Sequence, residues 1–237
     1  MTKANLSPLD QTLMNRSRAK QPYPDAKIVR EQQLRAVKPL PADYAPAAIR
    51  GDGPGARLAM DALIHLSVTW TNISDAAKDS DMTKLAPAAR RSYDAAAAKL
   101  RATQATIDAQ IAHYTTQINE RIAPRIDAAL ASEIRGFLRG QDMWTITKAA
   151  KEDSRVSSAL LTAPAVLTGL KEDEISRVRK VATEAHAPEQ AALMKETIAA
   201  GNRIAKAQDF IVTGLGSKIV AWEIEAKEPD ALKALRQ

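Results

Sequence analysis

Apolar residues in the first half of the chain recur at alternating steps of four and three positions. This heptad spacing is typical of helices that pack along one apolar stripe. Because the polar residues 78–81 lie between two such series, the pattern predicts a long antiparallel helical hairpin with coiled-coil packing. The first series is Ala59, Leu63, Leu66, Trp70, Ile73 and Ala77, and the second is Tyr93, Ala97, Leu100, Gln104, Ile107, Ile111, Tyr114 and Ile118.

Proline positions predict where the long helices begin and end. Pro87 favours the start of the second helix, which would reach residue 123 and measure about 55 Å at ~1.5 Å per residue. Beyond Ile118 the apolar residues recur every four positions as far as Ile134, and Pro124 falls inside this change. We therefore expect a kink or break there, after which the helix resumes to about Leu138.

The C-terminal third is predicted to consist of shorter helices. They are separated by a turn between Pro164 and Gly169, by the proline at position 188 and by the sequence Gly-Leu-Gly at 214–216. The sequence Gly-Leu-Gly is expected to end a helix. The predicted helices span residues 142–151, 154–162, 171–187, 188–212 and 217–227.

Seven of the twelve prolines lie within residues 1–54. Because proline fixes φ and removes a backbone donor, this segment is predicted to be a partly extended arm with short helices at 8–19 and 25–37. The sequence Gly-Asp-Gly-Pro-Gly at 51–55 predicts a hinge into the body. Pro-Tyr-Pro at 22–24 and Pro-Leu-Pro at 39–41 favour rigid linker turns, and docking peptides for another subunit are the alternative. The predicted regions are a basic Pro-rich arm (1–55), the long α-hairpin (56–140) and a C-terminal helical region (141–237).

Composition supports an all-α fold. The chain contains 46 Ala and 9 Gly, and aromatic residues make up 4% of it. Alanine favours helix and allows close helix packing, whereas sheets need runs of β-branched and aromatic residues. There is no Cys, which excludes disulfides, zinc–thiolate sites and cysteine nucleophiles.

Charge is concentrated in the arm. The net charge is +6, and residues 1–50 carry nine Lys or Arg against four Asp or Glu. Within the arm Arg16, Arg18 and Lys20 cluster, so they are predicted as possible contacts to an anionic partner such as nucleic acid; a solvated tail is the alternative. No apolar run reaches the ~18 residues that a membrane span requires, so none is predicted.

No residue pattern points to catalysis. His65, His113 and His186 have no metal-ligand spacing, although the first two lie beside the predicted hairpin seam. Gly214–Lys218 resembles part of a phosphate loop but lacks its spacing and its strand, so a helix–Gly–helix connection is favoured. The sequence predicts a protein that is not an enzyme and uses no catalytic residues, cofactor or metal.

Residues 158–177 read SALLTAPAVLTGLKEDEISR. This segment resembles Ala-rich helical proteins of tailed phages and prophages, in which a helical hairpin precedes such a turn and an Arg-rich helix. The resemblance covers roughly residues 56–212. It implies a place in a virion or in its assembly, but it assigns no activity.

These observations predict a non-enzymatic structural or assembly protein. We expect a homo-oligomer that assembles through its helices. It would contact other virion proteins as a connector, head-associated, scaffold-like or internal ejected protein, located in the virion or in the host cytoplasm during assembly. The alternative is a nucleic-acid-associated protein that binds through residues 1–50. The predicted oligomer or packing seam consists of Leu63, Leu66, Trp70, Ile73, Leu100, Ile107, Ile111, Tyr114 and Ile118.

Overall fold

The computed structural model describes residues 37–79 and 81–227, and in these residues it is all-α with no strand, which confirms the predicted fold class. Two 3-10 turns (Ala42–Tyr44 and Pro46–Ala48) precede the helices. A π-helical segment, Ile211–Gly216, lies between the last two helices. The helices are α1 (Pro54–Asp79), α2 (Met82–Ile122), α3 (Ala128–Leu138), α4 (Met143–Glu152), α5 (Ser154–Leu161), α6 (Ala165–Thr168), α7 (Glu172–His186), α8 (Pro188–Phe210) and α9 (Ser217–Lys227).

The largest unit is a bundle of three long elements. Helices α1 and α2 form the predicted hairpin. The third element is residues 188–227, hereafter the rod, in which α8, the π segment and α9 follow one another without interruption over about 60 Å. The rod runs antiparallel to α2, since Arg90 near the start of α2 pairs with Glu223 near the end of the rod at 3.0 Å. One core joins all three elements and includes Leu63, Leu66, Leu100, Ile107, Ile204, Leu215, Ile219 and Trp222.

This packing groups the chain differently from the predicted regions. The rod, assigned from sequence to the C-terminal helical region 141–237, shares the core of the hairpin. Ile49, assigned to the arm 1–55, belongs to the same core and is 7% exposed. The predicted boundaries near residues 55 and 140 therefore do not divide the core. The predicted short helices between residues 8 and 37 lie, apart from Val37, outside the described residues.

The predicted helix end at residues 214–216 is wrong. Neither Gly214 nor Gly216 has a positive φ, and the chain passes through them as a π helix. A Cβ atom at Gly214 would lie 3.1 Å from the Trp70 ring, and one at Gly216 would lie 3.1 Å from the Tyr93 hydroxyl oxygen. These glycines therefore allow the rod to approach α1 and α2 closely; they do not form a turn.

The predicted start of α2 at Pro87 is also wrong. The Asp81 carboxylate accepts a hydrogen bond from the Thr83 N–H at 3.0 Å, so the helix begins at Met82 and Pro87 lies inside it. The predicted break near Pro124 is confirmed, because α2 ends at Ile122 and α3 begins at Ala128.

Residues 128–186 form a smaller helical unit at the end of α2, which we call the second cluster. Its core contains Leu138, Ile146, Leu160 and Val178 from α3, α4, α5 and α7. It is joined to the bundle by a small apolar junction that includes Ile118, Ile122, Ala182 and Ala187. Aspartates cap three of its helices, and hydrogen bonds from Thr145 hold the pKa of one of them, Asp142, below its usual value.

Two buried serines hold the break after α2. The Ser157 hydroxyl donates to the Ile122 carbonyl, and the Ser158 hydroxyl donates to the Pro124 carbonyl at 2.6 Å. Both carbonyls belong to the end of α2 or to the segment after it, where intrahelical partners are lacking. The second cluster is thus attached to the bundle by hydrogen bonds as well as by apolar contacts.

Replacing Ser158, which is 1% exposed, by Ala is expected to lower the free energy of unfolding by about 1 kcal/mol, because the partly buried Pro124 carbonyl loses its hydrogen-bond donor. Urea denaturation followed by circular dichroism measures the change. Ser176→Ala, at an exposed position of α7, is the control and should change stability little. Equal effects of the two substitutions would contradict the role assigned to Ser158.

Candidate functional site: the strap and its seat

Residues 37–53, which we call the strap, lie along the surface of the bundle before α1 begins. Two 3-10 turns lie within the strap, and Ala45 and Ile49, which follow them, have extended backbone dihedrals. Val37, Leu40 and Tyr44 pack against the bundle core, and the second turn contacts α1. Prolines at 39, 41 and 46 suit this path, since they fix φ and leave fewer backbone donors to satisfy. Leu40 of the Pro-Leu-Pro sequence packs on the core of its own chain, so this sequence is not a bare linker; the alternative of docking on another subunit stays a prediction.

The strap is held by an aromatic contact at Trp70 and Phe210, which we call the seat. The Phe210 ring stacks on Tyr44 of the strap, with ring centroids 4.7 Å apart and planes inclined by 20°. It also stacks on Trp70 of α1, at 5.1 Å and 22°. The Trp70 indole N–H donates to the Lys38 carbonyl at 2.8 Å, so this buried donor is satisfied by the strap. Such aromatic pairs add about 0.5–1.5 kcal/mol beyond the area they bury.

The other end of the strap is fixed by Glu196 of α8. The Gly53 N–H donates to the Glu196 carboxylate, Oε1, at 2.6 Å. This carboxylate also lies beside the N-terminus of α1, where the helix dipole favours negative charge. Gly51 has a φ of +102°, and a Cβ atom there would lie 2.2 Å from the Glu196 carboxyl carbon. The predicted hinge at 51–55 is therefore packed against the bundle.

The predicted seam lies inside the chain. Eight of its nine residues are buried, and Ile111 is half-buried. Leu63, Leu66 and Leu100 have no exposed surface, because the rod covers the stripe that the hairpin would otherwise present. Side chains in this position have no surface left for a second subunit, so an oligomer would have to use other residues.

Among the described residues, the predicted histidines belong to no metal-binding group. Arg16, Arg18 and Lys20 lie outside the described residues. His65 and His113 are exposed, and His186 Nε2 lies 2.9 Å from the Ala150 carbonyl oxygen. Over residues 37–79 and 81–227 no group of three or more His, Cys, Asp or Glu is placed to hold a metal ion. In the same ranges, no helix has the length and apolar character needed to cross a membrane.

Lys218, from the sequence that resembles a phosphate loop, lies on the rod near the strap. Burial lowers the pKa of Lys218, and the charge of Lys38 on the strap lowers it further. The structure thus places two cations near each other where the strap begins.

Sequence reasoning missed Phe210 and Glu196, which hold the two ends of the strap. Phe210 is one of only two phenylalanines in the chain and lies just before the glycines of the π segment. That position was a usable signal, because a large ring beside small residues favours close packing. Glu196 offers no signal, since nothing in the sequence pairs it with glycines more than 140 positions away.

Backbone strain at positive φ costs about 1–3 kcal/mol. Gly51→Ala is expected to lower the free energy of unfolding by more than this, because the new methyl group also collides with Glu196. Gly140→Ala is the matched control: Gly140 has a φ of +82°, and a Cβ atom there would have no described atom within 4 Å beyond its own chain neighbours. Adding Glu196→Ala to Gly51→Ala should recover part of the excess loss. Urea denaturation measures the free energy of unfolding of all three variants and of the unaltered protein. Equal losses of stability for the two glycine variants would contradict the packing of Gly51 against Glu196.

Comparison with known proteins identifies no relative of this chain. No protein-family model, no curated protein and no solved structure matches it. The resemblance of residues 158–177 to helical phage proteins therefore stays a prediction.

Proposed function

We propose that the chain is a non-enzymatic structural protein that assembles with copies of itself by exchanging the strap. The observation that supports this most is the strap itself, which lies outside the helices and is held by contacts at its two ends. A segment that docks on its own bundle through such contacts can make the same contacts on a neighbouring bundle. The exchange requires no new surface, and exchanging an identical element between two chains is a low-cost route to a dimer.

Three features of the strap favour exchange. The seat, Trp70 and Phe210, lies on α1 and α8 and not on the strap, so the seat of one chain can receive the strap of another. The prolines of the strap reduce the conformational entropy lost when it binds. The link to α1 is rich in glycine, so it has alternative backbone conformations once Glu196 is released.

We place this assembly in a phage particle on the basis of the resemblance of residues 158–177. In the structure this segment is the end of α5, a turn with the short helix α6, the C-cap Gly169 at φ +70°, and the start of α7. The turn exposes Val166 and Leu167, at 84% and 49%. Exposed apolar side chains of this kind are what a particle protein would bury against neighbours. A connector, head-associated, scaffold-like or internal ejected protein fits this proposal.

The chain has no Cys, so cross-linking between two single-cysteine variants tests the exchange directly. The Arg203 guanidinium contacts the Asp43 backbone carbonyl, which brings these two residues together across the strap and α8. We expect a mixture of Asp43→Cys and Arg203→Cys chains to form a heterodimer with a short bis-maleimide reagent. Mixing Asp43→Cys with Lys180→Cys, on the exposed face of α7, is the control.

Tyr44→Ala should weaken the heterodimer, because it removes the ring that stacks on Phe210. Trp144→Ala, which removes an exposed ring on the second cluster, should leave it unchanged. A monomer at every concentration in sedimentation velocity, together with no cross-linked heterodimer, would refute strap exchange.

A second candidate function is nucleic-acid binding by the basic arm. Residues 1–50 carry nine Lys or Arg against four Asp or Glu, and this concentration of positive charge favours an anionic partner. The arm residues Arg16, Arg18 and Lys20 would make phosphate contacts.

Replacing Arg16, Arg18 and Lys20 together by Glu is expected to weaken binding of a DNA duplex at least about tenfold and to reduce its salt dependence. Fluorescence anisotropy at several salt concentrations measures both effects. The control replaces Lys84, Lys99 and Arg101, all exposed on α2, by Glu, so that the net charge is the same. Equal losses in the two triple variants would show that only overall charge matters.

A further inference from the structure

An apolar groove lies between α2, α7 and α8, on the side of the bundle next to the second cluster. Its floor includes Ile118 and Ile122 of α2 with Met194 and Ile198 of α8, and its volume is about 300 Å³. Ile198 is 37% exposed although it is a large aliphatic residue. Met194 is in contact with Thr115, whose hydroxyl lies 3.6 Å from the Met194 sulfur. The groove is therefore an apolar surface that the chain itself leaves partly uncovered.

The charged groups that line this groove are cationic. Arg179 of α7 and Lys195 of α8 stand at its rim, and both are exposed. Neither residue has a carboxylate three or four positions away on its helix, and within residues 37–79 and 81–227 neither forms an ion pair. The Arg179 guanidinium donates to the side-chain oxygen of Asn119 at 3.1 Å, which holds it in place.

No carboxylate of α2, α7 or α8 is among the residues that line the groove. Glu196 of α8 accepts from Gly53 and so points to the strap. Glu184 of α7 lines a separate groove beside Trp144 and Lys148. The two charged side chains of the groove are therefore both cations, and neither is in an ion pair within residues 37–79 and 81–227.

The shape of the groove favours a helix over a small molecule. The lining residues of α2 extend from Thr115 to Ile122, which is about 10 Å or two helical turns. The groove is open to solvent along this length, whereas small-molecule pockets bury about 70–90% of their ligand. An amphipathic helix covers such a surface with apolar residues at i, i+3, i+4 and i+7.

We propose that this groove is a docking site for an acidic amphipathic helix of a partner protein. The apolar face of that helix would lie on Ile118, Met194 and Ile198, and its Asp or Glu residues would pair with Arg179 and Lys195. The side chains assigned to this site are not those that hold the strap. Phe210 of the seat is about 18 Å from Ile198 along α8, and the carboxylate of Glu196, which follows Lys195, contacts Gly53 and does not line the groove. A variant that abolishes strap exchange should therefore leave peptide binding to the groove intact, and a variant that abolishes peptide binding should leave strap exchange intact.

The probe is a fluorescent, N-acetylated peptide of about 14 residues with Leu at i, i+3, i+4 and i+7 and Glu at most other positions. We expect the full-length protein to bind it saturably in fluorescence anisotropy, and to bind it more weakly as salt is raised. The same peptide with Lys in place of Glu should bind at least about tenfold more weakly.

Two variants of the protein locate the binding. Ile198→Ser should weaken peptide binding at least about tenfold, whereas Ile224→Ser, at a 66% exposed position far along the rod, should not. The double variant Arg179→Glu, Lys195→Glu should abolish the preference for the acidic peptide. The double variant Lys180→Glu, Lys206→Glu is its charge-matched control, since both residues are exposed on the same two helices.

The following outcomes would overturn the proposal. No saturable binding up to about 1 mM peptide, or equal binding of the Glu and Lys peptides, would remove the acidic helix as the ligand. Saturable binding of dodecanoate that displaces the peptide at lower concentration would assign the groove to a small amphiphile. A dimer of the protein that Ile198→Ser dissociates, in sedimentation velocity, would assign it to a second copy of the chain.

Discussion

Burial of the hairpin stripe by the rod is the contact on which the rest of the structure depends. A two-helix hairpin cannot cover its own apolar seam, and each large aliphatic side chain removed from water contributes about 1.5–3 kcal/mol. Small residues at the contact make this burial possible: a Cβ atom at Gly201 would lie 3.0 Å from Ile107, and one at Gly216 would lie 3.1 Å from the Tyr93 hydroxyl. The chain thereby uses within itself the surface that a coiled-coil oligomer would use between subunits.

The same contact creates the two surfaces that remain. Trp70 reaches both the π segment and Phe210, so bringing the rod against α1 also assembles the seat for the strap. Nearer the start of α8, the groove beside Ile198 lies where α2, α7 and α8 meet. Both surfaces thus include residues of α8, although different side chains of that helix form them.

Local features of the fold were predictable because they depend on local chemistry. Heptad spacing identified the seam and the hairpin, and Pro124 identified the break after α2. The failures concern long-range contacts. The glycines at 214 and 216 favour a turn when considered alone, and only the proximity of Trp70 and Tyr93 explains why they lie in a helix. A heptad stripe specifies which face is buried but not which element buries it, so the sequence did not reveal the rod as the partner. Glu196 of the strap site was hidden for the same reason.

The division between covered and uncovered apolar surface also bears on function. Exposing Leu63 or Leu100 to a partner would require the rod to detach and the bundle core to open. That opening would cost much of the small free energy by which the folded chain is stable. Displacing the strap requires only the loss of the Tyr44 stacking, the burial of a few strap side chains and a small number of hydrogen bonds. Occupying the groove requires no displacement. Interactions with other molecules should therefore arise first at the groove, then at the strap, and not at the hairpin seam.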